Sequence, residues 1–105
     1  MTVLRVLIEP QFLKDGVWYV AQCLEYDLAV QGRSAREAKF EFESLIRSRF
    51  TIADEKKLAS PFQGIKRAPQ RFEAAWEESL PVQSDPRHMP LGARKQGWHL
   101  DARVA

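Results

Sequence analysis

Lys14-Asp15-Gly16 interrupts two runs of β-forming residues, and this interruption does most to limit the fold. Asp-Gly tolerates positive φ, so the chain can reverse there at little cost. Before it, residues 3–9 read Val-Leu-Arg-Val-Leu-Ile-Glu. In a strand Leu4, Val6 and Ile8 point one way, and Val3, Arg5, Leu7 and Glu9 the other. The first face is wholly apolar and should meet the core. Pro10 ends the regular pairing or marks an edge. After the turn, residues 17–23 are rich in β-branched and aromatic types, and predict a second strand in a hairpin. Trp18 and Tyr19 are adjacent on it, so they face opposite sides of the sheet.

Glu25-Tyr26-Asp27 makes a polar loop, and residues 28–31 give a short third strand that Gly32 closes. Ser34-Ala35-Arg36-Glu37 is a capping box, in which Glu37 should return to the N–H of Ser34. The predicted helix spans 35–53, with Ala38, Phe42, Leu45, Ile46 and Ala53 on its inner stripe. Phe40 sits about 160° from Phe42 and projects outward. Residues 54–67 read as a linker broken by Pro61 and Gly64. Pro69 opens a short helix at about 69–79, with Phe72, Ala75, Trp76 and Ser79 inward. Residues 80–105 read as mostly irregular, although 97–104 can form a late strand. The expected class is α+β. Residues 1–53 would form a three-stranded antiparallel sheet with one packed helix. Residues 54–105 would supply a linker, a short helix and an irregular tail.

The chemistry-bearing residues are sparse. Cys23 is a lone cysteine, so it has no internal disulfide partner and reads as a small buried hydrophobe. His88 and His99 lie in the least structured stretch, without partners at metal-ligand spacing. Ser34 is an N-cap before it is a nucleophile. The five glycines are scattered, so no phosphate loop forms. No cofactor or metal site is expected. The net charge of +2 lies wholly outside residues 1–53, which hold equal numbers of basic and acidic side chains. No basic face is concentrated enough to favour nucleic acid. No apolar run approaches the ~20 residues of a membrane span, and the N-terminus lacks a signal-peptide pattern. A cytoplasmic protein is expected.

Three segments together resemble the HicB-like antitoxins. Asp15-Gly16-Val17-Trp18-Tyr19-Val20-Ala21-Gln22-Cys23 looks like that family's turn and aromatic-Val-Ala strand. Glu25 to Gly32 resembles its loop and third strand, and Ser34-Ala35-Arg36-Glu37-Ala38 its helix start. The match covers about residues 3–50. Leu24 stands where many members have proline, and Arg33 where the family often has an acid. The resemblance implies a partial RNase H-like ββαβ fold without nuclease residues. It also implies a role in binding and silencing a small basic mRNA-cleaving toxin of the HicA type. Many members add an operator-binding domain, but residues 54–105 offer no pair of helices with a tight turn, so DNA binding is not expected.

The absent nuclease chemistry agrees with that role. A two-metal nuclease needs converging carboxylates, one normally within the first strand, and none occurs here before Glu9. The expected partner-binding residues are Trp18, Tyr19, Glu25, Tyr26, Asp27 and Phe40. The acidic loop would meet a basic toxin surface and the aromatics would anchor it. A homodimer is expected. The alternative is an oligomerising regulatory module without a toxin, with residues 54–105 as an interaction arm, motivated by the amphipathic stretch that carries Phe72 and Trp76. A nuclease ranks last.

Overall fold

The computed structural model describes residues 2–82 and 85–105. Strands β1 (Thr2–Leu13), β2 (Gly16–Cys23) and β3 (Ala29–Gly32) are followed by helix α1 (Ala35–Glu55) and helix α2 (Arg71–Glu77). Strand β4 (Leu80–Val82), a 3-10 turn at Pro86–His88, helix α3 (Leu91–Lys95) and strand β5 (Trp98–Val104) complete the order. The class is α+β, as the sequence predicts. The sheet is larger than predicted: it has five strands in the order β3-β2-β1-β5-β4. Residues 80–105 are not an irregular tail, because they supply both β4 and β5.

The hairpin forms as the turn chemistry requires. Leu13 faces Gly16 across Lys14 and Asp15, and Gly16 takes a φ of +121° that a side chain would resist. β1 runs straight through Pro10 to Leu13. The N–H of Leu24 donates to the Arg5 carbonyl, and that of Ala105 to the Ile8 carbonyl. Backbone groups alternate along a strand, so Pro10, two residues after Ile8, turns its missing N–H toward the side where β5 has already ended.

β5 pairs with β1 in parallel, from Thr2↔Trp98 to Ile8↔Val104. A parallel neighbour must arrive by a long connection, and here that connection is everything between β3 and β5. It begins with α1, capped by the Ser34 hydroxyl, which accepts from Glu37 N at 3.0 Å. The Glu37 carboxylate returns to the N–H of Arg33 (3.2 Å), one residue before the expected Ser34. At the other end Lys57 adopts a φ of 55°, and the N–H groups of Lys57 and Leu58 close on the carbonyls of Asp54 and Ala53. This is a Schellman stop with lysine where glycine is usual.

The two sheet faces carry separate cores. On one, Leu4, Val6, Ile8, Ala21 and Cys23 pack against Ala38, Phe42 and Ile46 of α1, with Met89 and Ala93 from the α3 region. The segment read as a linker belongs to this core: Phe62 is buried, stacked on Tyr26 at 4.3 Å and edge-on to Phe50 at 5.9 Å. The chain then crosses the end of the sheet. Lys66 O accepts from Asp27 N, and Ala68 N donates to Leu24 O. On the second face α2 buries Phe72 and Trp76 against Leu7 and Leu24.

Candidate partner-binding surfaces

Arg5 organises the second face. It stands in the middle of β1, beside Leu7, with an apolar helix above it. Such a half-buried cation needs partners, because desolvation alone would cost several kcal/mol. Glu25 supplies two acceptors, taking the backbone N–H and the Nε of Arg5 at 2.6 Å each. Glu73 of α2 takes the two terminal nitrogens at 2.8 Å. Arg67 adds a third nitrogen to Glu73 at 3.0 Å. Trp76 of α2 covers the pair, with the Arg5 and Arg103 guanidinium carbons 5.7 and 4.8 Å from its ring centroid. The Glu73 hydrogen bonds, ahead of those from Glu25, hold the Arg5 pKa above its ordinary value. Reciprocally, the Arg5 hydrogen bonds hold the Glu73 carboxyl below its usual range.

This arrangement disperses the acidic loop. Glu25 points to Arg5. Tyr26 turns to the opposite face and stacks on Phe62. Asp27 is exposed and accepts from the buried Gln22 side chain at 3.0 Å. Trp18 and Tyr19 do take opposite faces. Tyr19 packs against the α1 core, while Trp18 lies half-buried under the Arg33 guanidinium, 3.7 Å from its ring centroid, and donates to Asp15 at 3.3 Å. Phe40 projects from α1 with 58% of its surface exposed. The six residues therefore occupy separate places, and do not form one patch.

Phe72 and Trp76 lie inward as their helix predicts, and they are buried within this chain, so this part of the expected interaction arm is not free. Conversely, the sequence reading missed Phe12, which is 78% exposed and stands opposite Val17 at the hairpin end. A signal existed: a two-residue turn at Lys14-Asp15 obliges the first strand to run back from Leu13, so residues 10–13 belong to it. Phe12, Val17 and Leu13 form an apolar tip beyond the reach of β3 and β5.

A second polar centre pins the C-terminal segment onto α1. Glu43 is buried on the helix, and its Oε2 lies 2.6 Å from His88 Nδ1 and 3.3 Å from Lys39 Nζ. An open concavity of about 580 Å³ separates the end of α1 from α3, lined in part by Phe50, Ala53, Leu58 and Ala93. Among the described residues, no three His, Cys, Asp or Glu side chains converge to hold a metal ion. Among them too, no helix is long and apolar enough to cross a membrane.

Neither the family models, nor the curated proteins, nor the solved structures include a match to this chain.

Proposed function

We propose that this chain is a HicB-like antitoxin module, a non-catalytic cytoplasmic protein that binds and silences a small basic toxin that cleaves mRNA. The observation that carries the reading is the residue match over about residues 3–50. The arrangement of its strands supports it: a three-strand antiparallel meander, a capped helix, then a strand laid parallel to β1. It shares with the implied ββαβ type the antiparallel hairpin, the helix and the returning parallel strand, and adds β3, α2, β4 and α3. A cation also occupies the middle of β1, and the nearest carboxylates, Glu25 and Glu73, are spent on it.

The toxin-facing surface is best sought among aromatics that the fold leaves uncovered, since such anchors dominate protein interfaces. Phe40 on α1 and Phe12 at the hairpin tip are the two most exposed phenylalanines recorded. Glu25 is already neutralised by Arg5 and gives a basic partner little to hold.

The test is to look beside this chain's gene for a reading frame encoding a small basic protein, co-express the two, and purify through a tag on the partner. A stable complex that protects cellular mRNA, and that Phe40→Ala or Phe12→Ala weakens without unfolding the chain, supports the reading. A toxin that purifies free of this chain and kills cells despite its presence sinks it.

A further inference from the structure

We infer that β3 is a docking edge for a second copy of this chain, joining two sheets across a two-fold axis through Val30. The inference rests on backbone geometry and does not depend on the antitoxin reading.

Two other open strand stretches are blunted by proline. Pro10 sits where β1 runs on past β5. Pro81 stands opposite Arg103, whose own backbone groups face β1, so Pro81 turns its missing N–H outward from β4. β3 has no such guard. Cys23 N donates to Leu28 O, which makes Cys23↔Leu28 a hydrogen-bonded pair. The register then makes Ala21↔Val30 and Tyr19↔Gly32 pairs of the same kind. The N–H and C=O groups of Ala29 and Gln31 must therefore face away from β2. Both residues are exposed.

The open stretch has closed ends. The N–H of Asp27 already donates to Lys66 O, and the N–H of Arg33 to Glu37. Only Ala29 and Gln31 still offer donors. A second β3 related by a two-fold axis runs antiparallel by symmetry. With Val30 on that axis, Ala29 faces Gln31 of the other copy, and each pair exchanges two hydrogen bonds. A one-residue slip would set an outward group against an inward one.

Charge agrees with this register. Asp27 and Arg33 are exposed, one at each end of β3. Asp27, Ala29, Gln31 and Arg33 alternate onto one sheet face, as their contacts with Gln22 and Trp18 attest. The axis brings Asp27 of one copy to the end that carries Arg33 of the other, twice. On the opposite face the two α1 helices come to lie side by side. Glu43 faces His88 on the β5 side, so the flank that meets the second copy carries Glu41, Leu45, Ser48 and Ile52 at about 100° per residue. Ile52 is 45% exposed there, an apolar group suited to cover.

The experiment is light scattering on the full chain over a concentration series of about 1 to 100 µM. The wild type should be dimeric. Gln31→Pro removes an outward N–H and should give a monomer with an unchanged circular dichroism spectrum. Asp27→Arg and Arg33→Asp should each weaken the dimer by about tenfold or more. Mixing those two variants should restore it as a heterodimer, because every facing pair then carries opposite charge. That rescue keeps the test decisive even if Gln31→Pro fails to fold. A wild type that stays monomeric throughout, a dimer indifferent to all three substitutions, or a mixture showing no heterodimer overturns the inference.

Discussion

The guanidinium of Arg5 and the carboxylate of Glu73 meet in parallel through two hydrogen bonds of 2.8 Å, linking the middle of β1 to α2. The pair explains why a helix of only seven residues stays docked. So short a helix has little stability of its own, and its position comes from what it touches. Phe72 and Trp76 supply the apolar contact. The fork between Arg5 and Glu73 fixes orientation, since planar bidentate pairing accepts one alignment.

Replacing Arg5 should therefore cost more than a surface ion pair would. Arg5→Met strands Glu25, which is only 19% exposed, with its main partner gone. The expected loss is about 2 kcal/mol, between the values for exposed and buried pairs. Urea unfolding measures it; a loss below about 0.5 kcal/mol would show the cluster to be decorative.

Acid should loosen the same contact. Glu73 titrates below its ordinary value of 4.5 because Arg5 hydrogen-bonds its charged form. The folded state then binds fewer protons than the unfolded state as pH falls from about 5. Its stabilising contribution is complete above the unfolded pKa and disappears as pH drops through the lowered folded one. Wild type should lose stability over that window, and Glu73→Gln should lose less. Parallel melting curves from pH 6 to pH 3 for both proteins provide the check.

Helix α1 ends in a conformation its sequence does not favour. Lys57 at a φ of 55° bears a cost of about 1 kcal/mol that glycine avoids. Lys57→Gly should raise stability by roughly that amount, and a rise in Tm is the readout. A destabilised variant would mean that the lysine side chain makes a contribution of its own.

Gly32 is fixed for a different reason. A Cβ added there would lie 2.5 Å from the backbone nitrogen of Ala38 and 2.9 Å from its Cα, with no flexible side chain to yield. Gly32→Ala should push the start of α1 off β3 and cost at least about 2 kcal/mol. An alanine variant as stable as wild type would contradict this packing.

Cys23 should behave as an inert hydrophobe. Burial pushes its thiol pKa up to about 11, so thiolate is scarce near neutral pH. Thiol reagents should modify it slowly in the folded protein and quickly in denaturant. Fast labelling under native conditions would show that this side of the sheet opens.

The hairpin, the three-strand meander and the capped helix were legible in the sequence because each rests on neighbours in the chain. Asp15-Gly16 and Ser34-Glu37 act within a few residues, and the alternation of Leu4, Val6 and Ile8 correctly marks the α1 face. β5 and β4 were not legible as members of the sheet, because their pairing is set by β1 and by the faces α1 and α2 cover. The same holds for the candidate surface. Trp18 and Tyr19 diverge as alternation requires. The fate of Glu25 and Tyr26, however, depends on Arg5 and Phe62, partners in other parts of the chain. Phe12 was missed because Pro10 was allowed to end a strand that a solvent-facing proline leaves intact.

Parallel pairing of β1 with β5 has a consequence for biosynthesis. A ribosome makes Thr2 to Leu13 long before β5, so one flank of that segment stays bare until Trp98 to Val104 have left the exit tunnel. The nascent chain must carry an unsatisfied, largely apolar ribbon until β5 emerges. Distant partners of this kind close slowly. Termination ahead of Trp98 would release a product whose central ribbon is open to aggregation and to proteolysis.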